Sequence, residues 1–185
     1  MIFASATFDK AYSISTFEHI ENDKEAFAEV SRVLKPGGHF VISIPMQEVP
    51  LLTRIAVKMP MFIKKLIYNN FVINARTPEE YLRNFDKYYS HYRNYTMRDI
   101  KERVENNGFE IESKTYNCRF FGSCIWSFYH TLKIFERQKS PDTDYKFKNE
   151  FVFALVSPFF YLLMIIDRLF FWTKGRIIVL KLKKK

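Results

Sequence analysis

Apolar residues recur with a helical period between Asp23 and Leu34. Ala26, Phe27, Val30, Val33 and Leu34 stand at i, i+1, i+4, i+7 and i+8, which predicts an amphipathic helix with Asp23 as N-cap and Lys24, Glu25, Glu29 and Arg32 turned to water. Upstream, Ala11–Ser15 reads as a short buried strand, joined to the helix by the polar stretch 17–22. Downstream, Pro36-Gly37-Gly38 stops the helix, because Pro disfavours the α region for Lys35 and the glycines permit positive φ. Phe40-Val41-Ile42-Ser43-Ile44 is then almost uninterrupted apolar chain, the pattern of a strand buried on both faces of a parallel sheet. Strand, helix and strand within about 35 residues make a βαβ unit with a right-handed crossover, so the fold class is α/β.

The pattern changes after Met46. Leu51, Leu52, Ile55, Met59, Phe62, Ile63, Leu66 and Ile67 alternate with Arg54, Lys58, Lys64 and Lys65, a basic amphipathic helix interrupted by Pro60. It suits a lid over an apolar substrate, a membrane-surface helix, or plain packing on the sheet. A Tyr-rich polar stretch follows. Thr96 then caps a helix over 97–107, with Asp99 in a capping-box position and Gly108 beyond its end. Residues 109–121 read as a strand, 124–136 as a further helix, and 137–146 as a polar loop.

Phe151–Ile166 is sixteen uncharged residues with Pro158 in the middle. As a helix it would reach about 24 Å, short of the ~30 Å hydrocarbon core, so a buried helix or one lying in a membrane interface is expected over a full span. Residues 176–182 read as a closing strand before a Lys-rich end.

Charge and composition narrow the picture further. The 185 residues are 48% hydrophobic and 18% aromatic, enough for a substantial core. The net charge of +9 is uneven: residues 1–30 hold two Lys and no Arg against six acidic groups, leaving 27 basic and 14 acidic groups in the remainder. Such a bias suits an anionic membrane surface, a phosphorylated substrate or nucleic acid; for nucleic acid charge is the sole support, no readout motif is present, and that partner is not expected. The two cysteines and the histidines fall at no metal-ligand spacing, so neither a disulfide framework nor a metal site is predicted, and a reducing, cytoplasmic setting follows. The five glycines form no phosphate-cradling loop.

Two segments resemble class I S-adenosylmethionine-dependent methyltransferases of the type 11 kind. "FDKAYSISTFEHIENDKEAFAEVSRVLKPGGHFVISIP" is similar to that family's fourth strand, its "eH" turn, its helix ending "RvLKPGG" and the next strand. "HYRNYTMRDIKERVENNGFEIES" resembles a later helix and strand, and "RIIVLKLKK" the closing antiparallel strand. The resemblance covers residues 8–45 most densely, then 91–113 and 176–184. It implies a partial Rossmann-like sheet, strands equivalent to 4-5-7-6, with flanking helices, in one domain over 1–185 that carries variable substrate, lid or membrane-contacting insertions at 46–90 and 120–175. The family's first strand, its acidic and glycine-rich loop and its ribose-binding acid have no counterpart here. The chain is therefore expected to be the later portion of a longer domain, impaired by itself, with its first strand an exposed edge prone to dimerisation.

By the same resemblance, S-adenosylmethionine is the methyl donor, and Ser13, Ile14, Ser15, Thr16, Phe17 and Glu18 map to its methionine and sulfonium end. His19 and His91 are the candidate catalytic groups. His19 is a general base or a substrate-orienting group, with local shaping of the turn as the alternative role. His91, with Arg93 and Tyr95, falls on the acceptor side. The apolar regions and basic surface suit a small-molecule, lipid-linked or envelope-saccharide acceptor, with the protein peripheral at the inner face of a membrane. The competing expectation is a non-catalytic membrane-associated remnant or interaction module.

Overall fold

The computed structural model describes residues 2–49, 51–62, 74–119, 135–136, 146–147, 150–170 and 174–185. They divide into two compact units, one of Met1–Glu48, Asp86–Asn117 and Gly175–Lys185, the other of Val49–Phe85 and Cys118–Lys174.

The first unit holds a four-stranded sheet. Strand β1 (Phe8–Ile14) is followed by a single 3-10 turn (Phe17–His19), helix α1 (Asp23–Val33) and strand β2 (Leu34–Pro45). β1 and β2 run parallel, with Ala11 opposite Phe40 and Ser13 opposite Ile42, as the βαβ pattern requires. The last strand, Ile177–Lys184, lies antiparallel between β2 and β3 (Phe109–Asn117), giving the spatial order first strand, β2, last strand, β3. That is the 4-5-7-6 order the resemblance implies. β1 is an edge of this sheet among the described residues, with Tyr12 and Ile14 exposed.

Between α1 and the sheet register the Pro-Gly-Gly segment is extruded: Phe8 pairs with Leu34 but Lys10 already pairs with His39. Gly37 takes φ +76, and a Cβ on Gly38 would stand 2.9 Å from the Lys35 carbonyl oxygen and 3.1 Å from that of Asp9. One glycine supplies the left-handed turn and the other the close approach.

The core lies on one face of the sheet. Phe40, Ile42 and Ile44 of β2 are buried opposite Leu182, Leu180 and Ile178 of the last strand. Phe27 and Val30 of α1 close over them with Ile100 and Val104 of a second helix, Met97–Asn106. Each fully buried large apolar side chain contributes roughly 1.5–3 kcal/mol. Burial of β2 on both faces does not hold: Val41 is 37% exposed and Ser43 half-buried, so the strand alternates and one face carries the core.

The predicted caps hold at one helix and shift at the other. Thr96 and Asp99 form a reciprocal capping box, with Thr96 N donating to Asp99 Oδ2 at 2.8 Å and Asp99 N to Thr96 Oγ1 at 3.2 Å. The Thr96 hydroxyl, donating to Asp99 Oδ2 at 2.6 Å, and the Thr96 N–H hold the Asp99 carboxyl below its usual range. The N-cap of α1 is Asn22, whose side chain accepts from Glu25 N at 3.4 Å, and Asp23 is buried. Its carboxylate pairs with Arg93 at 3.3 Å and Arg103 at 3.1 Å and accepts from Tyr95 Oη at 3.0 Å. Lys184 donates to Ser31 and Leu34 carbonyls at 2.6 and 2.7 Å, satisfying groups at the end of α1.

The second unit contains the short helix α2 (Leu51–Ala56), most of α3 (Pro78–Tyr89), a two-residue antiparallel pair of Phe135–Glu136 with Lys146–Phe147, and α5 (Glu150–Asp167), α4 being Met97–Asn106 of the first unit. Of the basic amphipathic segment, Ala56 and Val57 are buried and Ile55, Met61 and Phe62 exposed, while Lys64 and Lys65 lie outside the described residues. Of the helix predicted over 124–136, the described residues 135–136 are strand. α5 keeps Pro158 in its interior and leaves Phe151, Leu155, Phe159, Tyr161 and Leu162 exposed, so the buried-helix expectation does not hold there. The backbone N–H of Arg119 donates to Asp167 Oδ2 at 2.7 Å at its end.

Candidate active site

The carboxyl ends of β1 and β2 lie side by side, joined beyond their last pair by Ser15 N donating to Ser43 O at 3.0 Å. In open α/β sheets this edge is where ligands bind. After β1 the chain turns sharply through Ser15 at φ +47 into the 3-10 turn, which presents Glu18 and His19. The segment before α4 runs along the same edge: Tyr92 N donates to Glu18 O at 2.8 Å, Tyr95 N to Pro45 O at 3.0 Å, and Gln47 N to Tyr95 O at 3.0 Å. His91 is thereby carried to His19, the two rings meeting edge-on with centroids 4.9 Å apart.

Each histidine is held from behind. His19 Nδ1 lies 3.3 Å from Ser90 O, a contact that favours the proton on Nδ1 and leaves the basic lone pair on Nε2. His91 Nδ1 lies 3.2 Å from Asp86 Oδ1. Asp86 is in turn bound by Asn94 Nδ2 and by Arg176 Nη2 at 3.6 Å, and Arg176 also donates to the Met46 carbonyl. Glu18 is 2% exposed, and its Oε2 is buried with no hydrogen-bond partner. Burial raises the Glu18 carboxyl above its ordinary value, against weaker lowering by its own backbone N–H and by His91, His19 and Arg176. A proton acceptor, a carboxyl poised toward its neutral form and a carboxylate-held imidazole thus converge on one edge.

The other sequence-predicted residues divide by environment. Ser15 and Thr16 are exposed, Ser13 is half-buried, and Ile14 is 68% exposed. Phe17 is in the core, its ring 4.7 Å from that of Phe27, so its backbone alone is offered to a ligand. Arg93 and Tyr95 are structural: Arg93 also donates to Ile20 and Glu21 carbonyls, and Tyr95 is buried, with burial and, less strongly, Asp23 raising its hydroxyl. Asp86, Asn94 and Arg176 carry no sequence signal, since separate segments bring them together.

Two parallel strands that present a polar edge, with an antiparallel last strand inserted between β2 and β3, reproduce the strand order that the resemblance to class I S-adenosylmethionine-dependent methyltransferases implies. A methyltransferase-domain family model matches residues 1–42. Over 42 residues the chain is 45% identical to the sterol 4-C-methyltransferase strm-1 of Caenorhabditis elegans, a stretch of 23% of this chain and 13% of that protein. A solved S-adenosylmethionine-dependent methyltransferase from Thermotoga maritima, described as a possible histamine N-methyltransferase, superposes with a TM-score of 0.52 at 15% identity, covering 100% of this chain and 60% of that one.

Proposed function

We propose that this chain forms the acceptor side of an S-adenosylmethionine-dependent methyl-transfer site, with His19 as the proton acceptor and an apolar, lipid-like molecule as the methyl acceptor. The observation that carries the reading is the meeting of His19, His91 and Glu18 at the carboxyl edge of the parallel strands.

The residues present fit one side of the cofactor. Exposed hydroxyls and backbone of Ser15 and Thr16 stand at that edge, beside the half-buried Ser13, whereas the sequence offers no glycine-rich loop for the nucleoside. Ser13, Ile14, Ser15 and Thr16, with the backbone of Phe17 and Glu18, would hold its methionine end. When bound, S-adenosylmethionine supplies an already activated methyl group on a sulfonium. The protein's part is to align the acceptor, exclude water and take a proton. His19 Nε2 takes the proton of an acceptor hydroxyl or amine, and His91, held by Asp86, orients the acceptor. The exposed apolar side chains of α5 support the lipid-like acceptor, and they equally favour a second reading, a membrane-associated module without catalysis.

Titration of the isotopically labelled chain with S-adenosylhomocysteine, followed by amide resonances, tests the first reading at affinities down to the millimolar range. Shifts confined to residues 13–18 and 91–95 are expected. Absence of any shift there at millimolar ligand favours the second reading.

A further inference from the structure

One donor atom from each of Glu18, His19 and His91 lies within 4.8 Å of the other two. Around a zinc ion with bonds of about 2.1 Å, donors in tetrahedral positions stand roughly 3.4 Å apart, so closure needs side-chain movements of about an ångström, well within rotamer adjustment.

Three further features are those of a ligand set. Glu18 is 2% exposed and its Oε2 has no hydrogen-bond partner, a cost that a buried carboxylate otherwise avoids by pairing or by binding a cation. His91 Nδ1 faces the Asp86 carboxylate, the carboxylate–histidine arrangement that orients a metal-binding imidazole, and Asp86 is itself fixed by Asn94 and Arg176. His19 Nδ1 faces a backbone carbonyl, the other usual partner of such a ring. The sequence contains no local metal-ligand spacing because the donors come from two segments that only the fold joins.

We infer that Glu18, His19 and His91 form a binding site for a divalent first-row transition cation of the zinc class. Two imidazoles and one carboxylate suit such ions and disfavour magnesium and calcium, which take oxygen donors. Three protein ligands leave a coordination position open. That position lies at the edge where the methyl acceptor is proposed to bind; a bound cation would take the Nε2 lone pair of His19, so in that state it would hold and acidify an acceptor oxygen in place of proton uptake by His19, a role that rests on that reading, whereas the site itself rests on the donors alone.

The full chain, stripped with chelator, exposed to Zn2+ and desalted, is analysed for bound metal by mass spectrometry, with circular dichroism as a check on folding. Retention of about one Zn2+ per chain is expected, with at least a tenfold loss in His19→Asn, which alters an exposed side chain, and in Glu18→Gln. His39→Asn, whose histidine lies 3.3 Å from Glu112 instead, should retain the metal, and Mg2+ should not compete. No retention by the folded wild type, equal retention in wild type and His19→Asn, or equal loss in His39→Asn would overturn the site. Failure of S-adenosylhomocysteine to shift residues 13–18 in the same preparation, with Zn2+ retained, would overturn the methyl-transfer reading and leave the metal site standing.

Discussion

Glu18 is held in the fold against its own ionisation. Its carboxyl is raised above the ordinary 4.5 by burial, while His91, His19 and Arg176 pull less strongly the other way. A raised acid contributes stability that is full below its unfolded pKa and is lost as pH rises through the folded value. In metal-free buffer, Glu18→Gln should therefore be close to wild type in stability below about pH 4.5 and more stable by about 1 kcal/mol at neutral pH. Urea unfolding at several pH values reads the difference, and a gap that does not grow with pH would refute the assignment. The sequence singled out Glu18, His19 and His91 through the "EH" turn and "HYRNY". It missed Asp86, Asn94 and Arg176, because a carboxylate that steadies a distant imidazole leaves no local pattern. Asp23 shows the same limit: beside Asn22 it reads as a cap, but its role as the buried partner of Arg93 and Arg103 depends on chain about 70 residues and more downstream.

At the level of elements, local periodicity revealed α1, β1, β2 and α4, since each writes its exposed and buried faces into adjacent positions. The insertion of the last strand between β2 and β3 is not a local property and came from the family resemblance. The apolar run of β2 overstates its burial because Val41 is apolar yet lies on the less covered face, where an apolar residue is tolerated and a polar one not required. The junction of α1 and β2 carries the sharper prediction. At Gly38 a methyl group would meet two backbone carbonyl oxygens, at 2.9 and 3.1 Å, which cannot swing aside as a side-chain tip can. Gly38→Ala should cost about 2 kcal/mol. Gly37→Ala meets nothing within 4 Å and suffers from φ +76 alone, so it should cost about 1 kcal/mol. Thermal melts of both variants decide the order, and a more damaging Gly37→Ala would mean that turn conformation, rather than close approach, governs this junction.

For the whole molecule, charge and exposed apolar surface have to be explained together. Beyond residue 30 the chain carries 27 basic against 14 acidic groups, and α5 presents Phe151, Leu155, Phe159, Tyr161 and Leu162 to its surroundings. At 18 residues α5 is about 27 Å long, close to the ~30 Å hydrocarbon core but interrupted by Pro158 and ended by Asp167. A helix lying in the interface accommodates both features, since its charged ends stay wet. Attraction by basic groups alone is screened within about 10 Å at 0.1 M salt, whereas burial of apolar side chains is not. Flotation with vesicles containing anionic lipid should therefore persist in part at high salt. Leu155→Glu with Leu162→Glu, two turns apart on one face, removes roughly 1.5–3 kcal/mol of burial per side chain and should lower vesicle binding more than tenfold. Charge reversal at Lys58 should matter chiefly at low salt. Binding that vanishes entirely in high salt and ignores the leucine changes would assign the contact to charge, and would remove the main support for a lipid-like acceptor.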